Sequence, residues 1–233
     1  MAADFALLPA VTAPRLVVEG KYGAAAIFGG PLRSVSLDEP LQIHKISMKP
    51  YSCCRLFHST IDALSEITDG FSVPAEKIDE ILITGPRLIA EQHITPAEST
   101  MTAQYSCPYI VGATLAYGAT RYDVYGEAFL QDPKITAFAR KVRFEISEEI
   151  ERTYYPKQFA TGATIRFADG STRSSVVVDS VGTPRRPMSR EQIIAKGAGL
   201  ASQGEFPSGE FLAEVLWDGR GSRALAQALT GGA

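Results

Sequence analysis

The sequence predicts an α+β fold, on three observations. Runs that alternate apolar and polar residues stand among runs with apolar residues at helical spacing, without the regular strand–helix rhythm of a doubly wound sheet. Asp169-Gly170 lies between two strand-like runs and is a strong hairpin signal. Beyond Pro187 the texture turns helical as far as Leu229.

Taken in order, residues 1–40 are short apolar stretches broken by Pro9, Pro14, Gly20, Gly23, Gly29, Gly30 and Pro31, and make no core of their own. Leu41–Met48 (LQIHKISM) alternates in part and reads as a strand that Pro50 ends. Ser52 is placed to cap a helix from about Cys53 to Ile67, with Phe57, Ile61 and Leu64 on one face. Ser72-Val-Pro-Ala opens a short helical turn, and Glu80–Thr84 (EILIT) is a strand stopped by Gly85-Pro86. Thr100–Gly118 reads as one helix whose Gly112, Ala113 and Ala116 form a small-residue face. Tyr122–Arg140 carries one or two helices interrupted near Pro133, and Lys141–Ile146 alternates as a half-buried strand. Ala163–Phe167 and Ser174–Val178 are the hairpin arms, which makes four or five strands in all. Ser189-Arg-Glu-Gln192 is a capping-box pattern ahead of Ile193 and Ile194, and two or three helices follow.

Composition narrows the function classes. Of 233 residues, 45% are hydrophobic and 21% charged, ordinary values for a folded chain able to bury a sizeable core. A formal net charge of -3 gives no basic face for nucleic acid, yet leaves room for a local anion site. The three cysteines, Cys53, Cys54 and Cys107, are too few for a disulfide framework and point to a reducing compartment. No apolar run approaches the roughly 18–20 residues of a membrane span, and no secretory leader opens the chain. The expected setting is cytoplasmic, or a matrix reached by a targeting signal outside this chain, with no membrane or nucleic-acid partner.

The most informative run is Lys49-Pro-Tyr-Ser-Cys-Cys-Arg-Leu-Phe-His58. A lysine precedes an expected helix, Cys53, Cys54 and Arg55 fall in its first turn, and His58 follows Cys54 by four residues on the same face. A first turn presents unpaired N–H groups and the positive end of the dipole. Lys49 and Arg55 add charge to what is already an anion site, and Arg grips a carboxylate with two parallel hydrogen bonds. A thiol there is acidified, so Cys54 and His58 are candidates for proton exchange with a bound acid. Other readings stay open: a buried Cys-Cys pair and a structural histidine, a Cys–His nucleophile lacking an orienting third group, or a zinc site lacking the usual ligand spacing.

KPYSCCRLFHSTIDA resembles the KPYP-C-CR-x-x-H-x-x-IDA segment of the MmgE/PrpD family, with Ser52 where proline is usual. Val18-Glu-Gly-Lys-Tyr-Gly23 with Ile27-Phe-Gly-Gly30, Ala103-Gln-Tyr-Ser-Cys-Pro-Tyr109, and Val181-Gly-x-Pro with Pro187-Met-Ser-x-Glu-Gln leading to Lys196 resemble further family segments in the same order. The resemblance implies the C-terminal half of a longer enzyme. Residues 1–40 would end a first helical part, 41–185 would form an inserted α/β lid domain, and 186–233 would be helices returning to the helical domain.

It implies a site free of metal and cofactor that acts on a small carboxylic acid, most closely a 2-methylcitrate dehydratase, with decarboxylase and epimerase as relatives. Lys49, Cys54 and His58 are its expected catalytic residues, and Arg55, Gln104, Tyr105 and Ser106 its substrate-binding ones. Cys54 stands where itaconate-forming members carry a catalytic histidine, which argues against that product. Gln104, Tyr105 and Ser106 read equally as a polar helix cap. The expected partner is a second copy or a chain supplying the N-terminal half, since Phe5, Leu7, Leu8 and Val11 have no evident helices to pack on. A non-catalytic fragment is the alternative.

Overall fold

The computed structural model describes residues 21, 23–28, 42–70 and 73–201. The chain divides into two compact units, 1–44 and 45–233. In the first, the described helix is α1 (Ala24–Phe28). Most of the glycine-rich motif at 18–30, and the helices expected beyond Ala201, lie outside the described residues.

The second unit is built on one four-stranded sheet in the order β2-β1-β3-β4, flanked by helices, an α+β arrangement. β1 (Ile78–Gly85) pairs parallel with β2 (Val142–Ile146) and antiparallel with β3 (Thr161–Phe167), which pairs antiparallel with β4 (Thr172–Val177). The β3–β4 hairpin turns at Asp169-Gly170, with Gly170 at φ +83°, where a side chain would be strained. Ile78, Ile81 and Ile83 of β1, Val142 of β2 and Ile165 of β3 are buried. α2 (His58–Ile67) packs across β3 and β4, and seven of its side chains from His58 to Leu64 are buried.

Four expectations are corrected. Gln42–Lys45 is a 3-10 turn and Ile46–Lys49 belongs to no helix or strand, so the strand read at 41–48 does not form. Isoleucines 43 and 46 are exposed, which leaves that alternation no sheet face to bury. The helix after Pro50 starts at His58, not Cys53, and Ser52 is not its cap. Cys54 is extended (φ -60°, ψ 135°) because its N–H bonds the Gln104 carbonyl, and a 3-10 turn, Arg55–Phe57, intervenes.

The helix read at 100–118 is two, α4 (Thr100–Tyr105) and α5 (Cys107–Tyr117), after the short α3 (Arg87–Glu91). Pro108 explains the break: inside one continuous helix it lacks the N–H for residue 104 and clashes with the preceding turn. Ser106 instead caps α5, accepting from the Tyr109 N–H at 3.2 Å. Tyr122–Tyr125 and Glu127–Phe129 are 3-10 turns rather than a helix; α6 (Pro133–Ala139) starts at the expected proline, capped by Asp132.

α5 and α6 approach so closely that a Cβ on Gly112 would lie 2.5 Å from the Ile135 carbonyl oxygen. After β2 comes α7 (Glu148–Tyr154), and α8 (Arg190–Ala201) ends the described chain. The Ser189 capping box forms as read, with its hydroxyl accepting from the Gln192 N–H and the Gln192 side chain accepting from the Ser189 N–H.

Candidate active site

The segment from Met48 to His58 is held from two sides. On one, the Met48 N–H donates to the Gly182 carbonyl at 2.8 Å, and the Gly182 N–H donates to Arg186 at 2.7 Å. Gly182 has φ +86°, and a Cβ there would sit 2.0 Å from the Met48 carbonyl oxygen, so only glycine allows this approach. On the other side, the Cys54 N–H donates to Gln104 at 2.9 Å.

Asp62, buried on α2, ties the two chain segments together. It accepts from the Tyr51 hydroxyl, from the Val181 N–H at 2.7 Å and from Arg186 Nη1 at 3.4 Å. Burial raises the Asp62 carboxyl while these donors lower it, and burial prevails. The same burial, with Asp62 beside it, raises the Tyr51 hydroxyl far above its ordinary range. Sequence reasoning did not single out Asp62, Tyr51 or Gly182, although they stand in the IDA, KPY and VG-x-P segments.

Lys49 and His58 meet at one carbonyl. The Cys53 oxygen accepts from Lys49 Nζ at 3.2 Å and lies 3.4 Å from His58 Nε2. On the far side of the ring, Arg55 Nη1 lies 3.2 Å from His58 Nδ1 and also reaches the Met48 and Val181 carbonyls at 3.3 and 3.4 Å. Arginine can only donate, so Nδ1 accepts and the ring proton sits on Nε2, aimed at Cys53. His58 is fully buried, with its pKa pushed down to about 3 by burial first, then by Arg55, with Lys49 and Lys196 adding to the effect. The ring is therefore neutral at physiological pH and takes no proton there.

Lys196, on α8, donates from Nζ to the Lys49 carbonyl. Its pKa is lowered by burial and then by the charge of Lys49. Among the described residues, no carboxylate pairs with Lys49 or Lys196. Sequence reasoning noted Lys196 only as the end of a motif; its place beside Lys49 depends on how α8 returns to residue 49.

The remaining candidates separate. Cys54 is half-buried, whereas Cys53 is buried and its thiol is pushed up to about 12 by burial. Gln104 is half-buried beside Cys54 through its main chain, and Tyr105 is exposed. Ser106 faces inward, donating to the Ile94 carbonyl at 2.6 Å while it caps α5 by accepting from the Tyr109 N–H. Lys196 lines a pocket of about 290 Å³ with Tyr51, Thr120, Tyr122, Met188 and Gln192. Arg55 lines a different one of about 170 Å³ with Ser47, Ser59, Lys157 and Asp179. Among the described residues, no group of His, Cys, Asp or Glu is arranged to hold a metal ion, and no helix is long and apolar enough to cross a membrane.

Fold and site together describe a mixed α+β domain whose cationic turn is buttressed by a neutral histidine. Residues 51–208, about two thirds of the chain, match the model of the MmgE/PrpD C-terminal domain, and the chain belongs to the MmgE/PrpD family. That family includes dehydratases and other lyases. The match begins at Tyr51, two residues after Lys49. No curated protein matches the chain.

Proposed function

We propose that this chain is the C-terminal half of a lyase acting on small di- or tricarboxylic acids, of the 2-methylcitrate dehydratase type. The observation that supports this most is the convergence of Lys49 Nζ and His58 Nε2 on the Cys53 carbonyl, with Arg55 behind the ring. Loss of water beside a carboxylate removes a carbon-bound proton and expels hydroxide, which leaves as water once an acid protonates it. Charge builds on the carboxylate as on an enolate, and a fixed ammonium stabilises it without reorganising.

Lys49 holds the reacting carboxylate, and Arg55 sets the ring of His58 and the backbone at Met48. Cys54 borders the same turn with Gln104 bonded to it through the main chain, and both contact the acid, with Tyr105 next in the chain. The site needs no cofactor, and the chain works in the cytoplasm as a homodimer or beside an N-terminal partner.

A second reading has its own support. His58, neutral down to about pH 3, cannot act as a base that becomes imidazolium near neutrality. The chain then supplies binding, and the proton-transferring groups come from a separate N-terminal half.

The deciding experiment offers 2-methylcitrate, citrate and cis-aconitate to the chain alone and to the chain mixed with a candidate N-terminal partner. Alkene absorbance follows turnover and calorimetry follows binding. Turnover only in the mixture supports the split enzyme. Neither turnover nor binding in any mixture removes the lyase reading for this polypeptide.

A further inference from the structure

One edge of Arg55 is unused. Its hydrogen bonds, to the Met48 and Val181 carbonyls and to His58 Nδ1, all run through Nη1. Nη2 is buried and has no partner among the described residues. With Nε it makes the side edge of the guanidinium, the edge that grips an oxyanion through two parallel hydrogen bonds. A buried donor without a partner is costly, and where one persists a bound ion or water accounts for it.

Arg55 forms one wall of the cavity of about 170 Å³, which shares no lining residue with the cavity beside Lys196 other than through its neighbours in sequence. The other walls bring donors from separate parts of the chain: Ser47, Ser59 in the first turn of α2, Lys157 after α7 and Ser180 after β4. Ser59 and Ser180 are 2% and 4% exposed, and neither hydroxyl bonds another described residue. Lys157 is exposed and makes no ion pair among the described residues.

The carboxylate in the wall, Asp179, is already engaged by Gln158 Nε2 at 2.6 Å and by Arg185 Nη1 at 3.3 Å. Two cations against one paired carboxylate leave the cavity positive. A carboxylate ligand offers two oxygens in one plane and is satisfied by the arginine edge alone. Donors from four chain segments suit an anion whose oxygens point several ways, which is a tetrahedral one.

We propose that this cavity binds a phosphate group, as the free ion or as the head of a phosphate ester, with Arg55, Lys157, Ser59 and Ser180 as its donors. The site stands apart from the Lys49 turn and does not rest on the carboxylic-acid reading.

Calorimetry on the full chain at pH 7.5 and fixed ionic strength tests this, with inorganic phosphate, glycerol 3-phosphate and acetate as probes. At least one of the two phosphates binds, and the tighter one identifies the source. Acetate binds about tenfold or more weakly than it. Lys157→Gln and Ser180→Ala each lower phosphate affinity about fivefold or more, the size of one hydrogen bond to a charged group. Lys157→Arg restores most of the affinity, and Lys134→Gln, which removes a lysine from a different surface, changes it less than about twofold.

In the unmodified chain, phosphate protects Lys157 but not Lys134 from acetylation by acetic anhydride, read by mass spectrometry, so the test does not depend on a variant that folds. Absence of phosphate binding overturns the inference, as does acetate binding as tightly as phosphate. An equal loss in Lys134→Gln and Lys157→Gln, or no selective protection of Lys157, also overturns it, because either result reduces the binding to unspecific charge.

Discussion

Nη1 of Arg55 stands 3.2 Å from Nδ1 of His58, and this contact sets the state of the whole turn. It makes Nδ1 an acceptor, puts the ring proton on Nε2, and directs that proton at the carbonyl that Lys49 also holds. A guanidinium against an imidazole also opposes protonation of the ring. His58 is thus an uncharged strut with Arg55 on one side and, across the Cys53 carbonyl, Lys49 on the other.

That state has a pH signature. The pKa of His58 falls from 6.5 unfolded to about 3 folded. The stability it contributes is complete above pH 6.5 and is lost as pH falls toward 3, because the unfolded chain takes up a proton that the folded chain refuses. The slope from this one group approaches ~1.4 kcal/mol per pH unit inside that window. Urea unfolding of wild type and His58→Gln between pH 7 and pH 4 isolates it: the difference in stability between the two proteins narrows as pH falls. A constant difference over that range contradicts a buried neutral ring.

Gly182→Ala is expected to cost at least about 2 kcal/mol, from the left-handed backbone and the contact with the Met48 oxygen together. The larger consequence is local. Residues 46–50 must move to admit a methyl whose carbon would lie 2.0 Å from that oxygen. Citrate affinity therefore drops further than the loss of stability accounts for, measured by calorimetry at a temperature where the variant remains folded.

Asp62→Asn removes the carboxylate that Tyr51, Val181 and Arg186 share. An amide can accept through only one of its two ends, so a buried donor is left without a partner. Destabilisation of roughly 3 kcal/mol follows, read by chemical denaturation. Substitution of Arg186, whose side chain is 45% exposed against 3% for Asp62, costs much less.

The thiols divide sharply. At pH 7.5, iodoacetamide is expected to modify Cys54 first. Cys53 is 3% exposed with a thiol pushed up to about 12, and Cys107 has no exposure. Peptide mass mapping over time checks the order, and citrate slows the reaction at Cys54. In an assembly that turns over, Cys54→Ser loses less than about tenfold in kcat/KM and Lys49→Met about a hundredfold or more, as expected when the ammonium carries the transition-state charge. Complete loss in Cys54→Ser instead assigns Cys54 a nucleophilic role.

Much of the fold could be read directly. EILIT, KVRFEI and the arms around Asp169-Gly170 became β1, β2 and the β3–β4 hairpin, because each pairs a period-two pattern with a local stop. Pro133 marked the start of α6. Pro108 carries the same information about the break before α5. LQIHKISM misled because alternation predicts a strand only where a neighbouring strand completes its hydrogen bonds, and none does beside Ile46–Lys49.

The sequence by itself determined the family, the mixed α+β class and the turn where positive charge collects, because those rest on local pattern and residue type. The tertiary structure decided which charges face one another. Asp62 reaches Val181 across 119 residues, Arg55 fixes the tautomer of His58, and α8 delivers Lys196 to the Lys49 carbonyl across 147 residues. No local spacing encodes such meetings. They follow from how buried polar groups find partners once the backbone has closed around them, and desolvation then sets which of them stay charged.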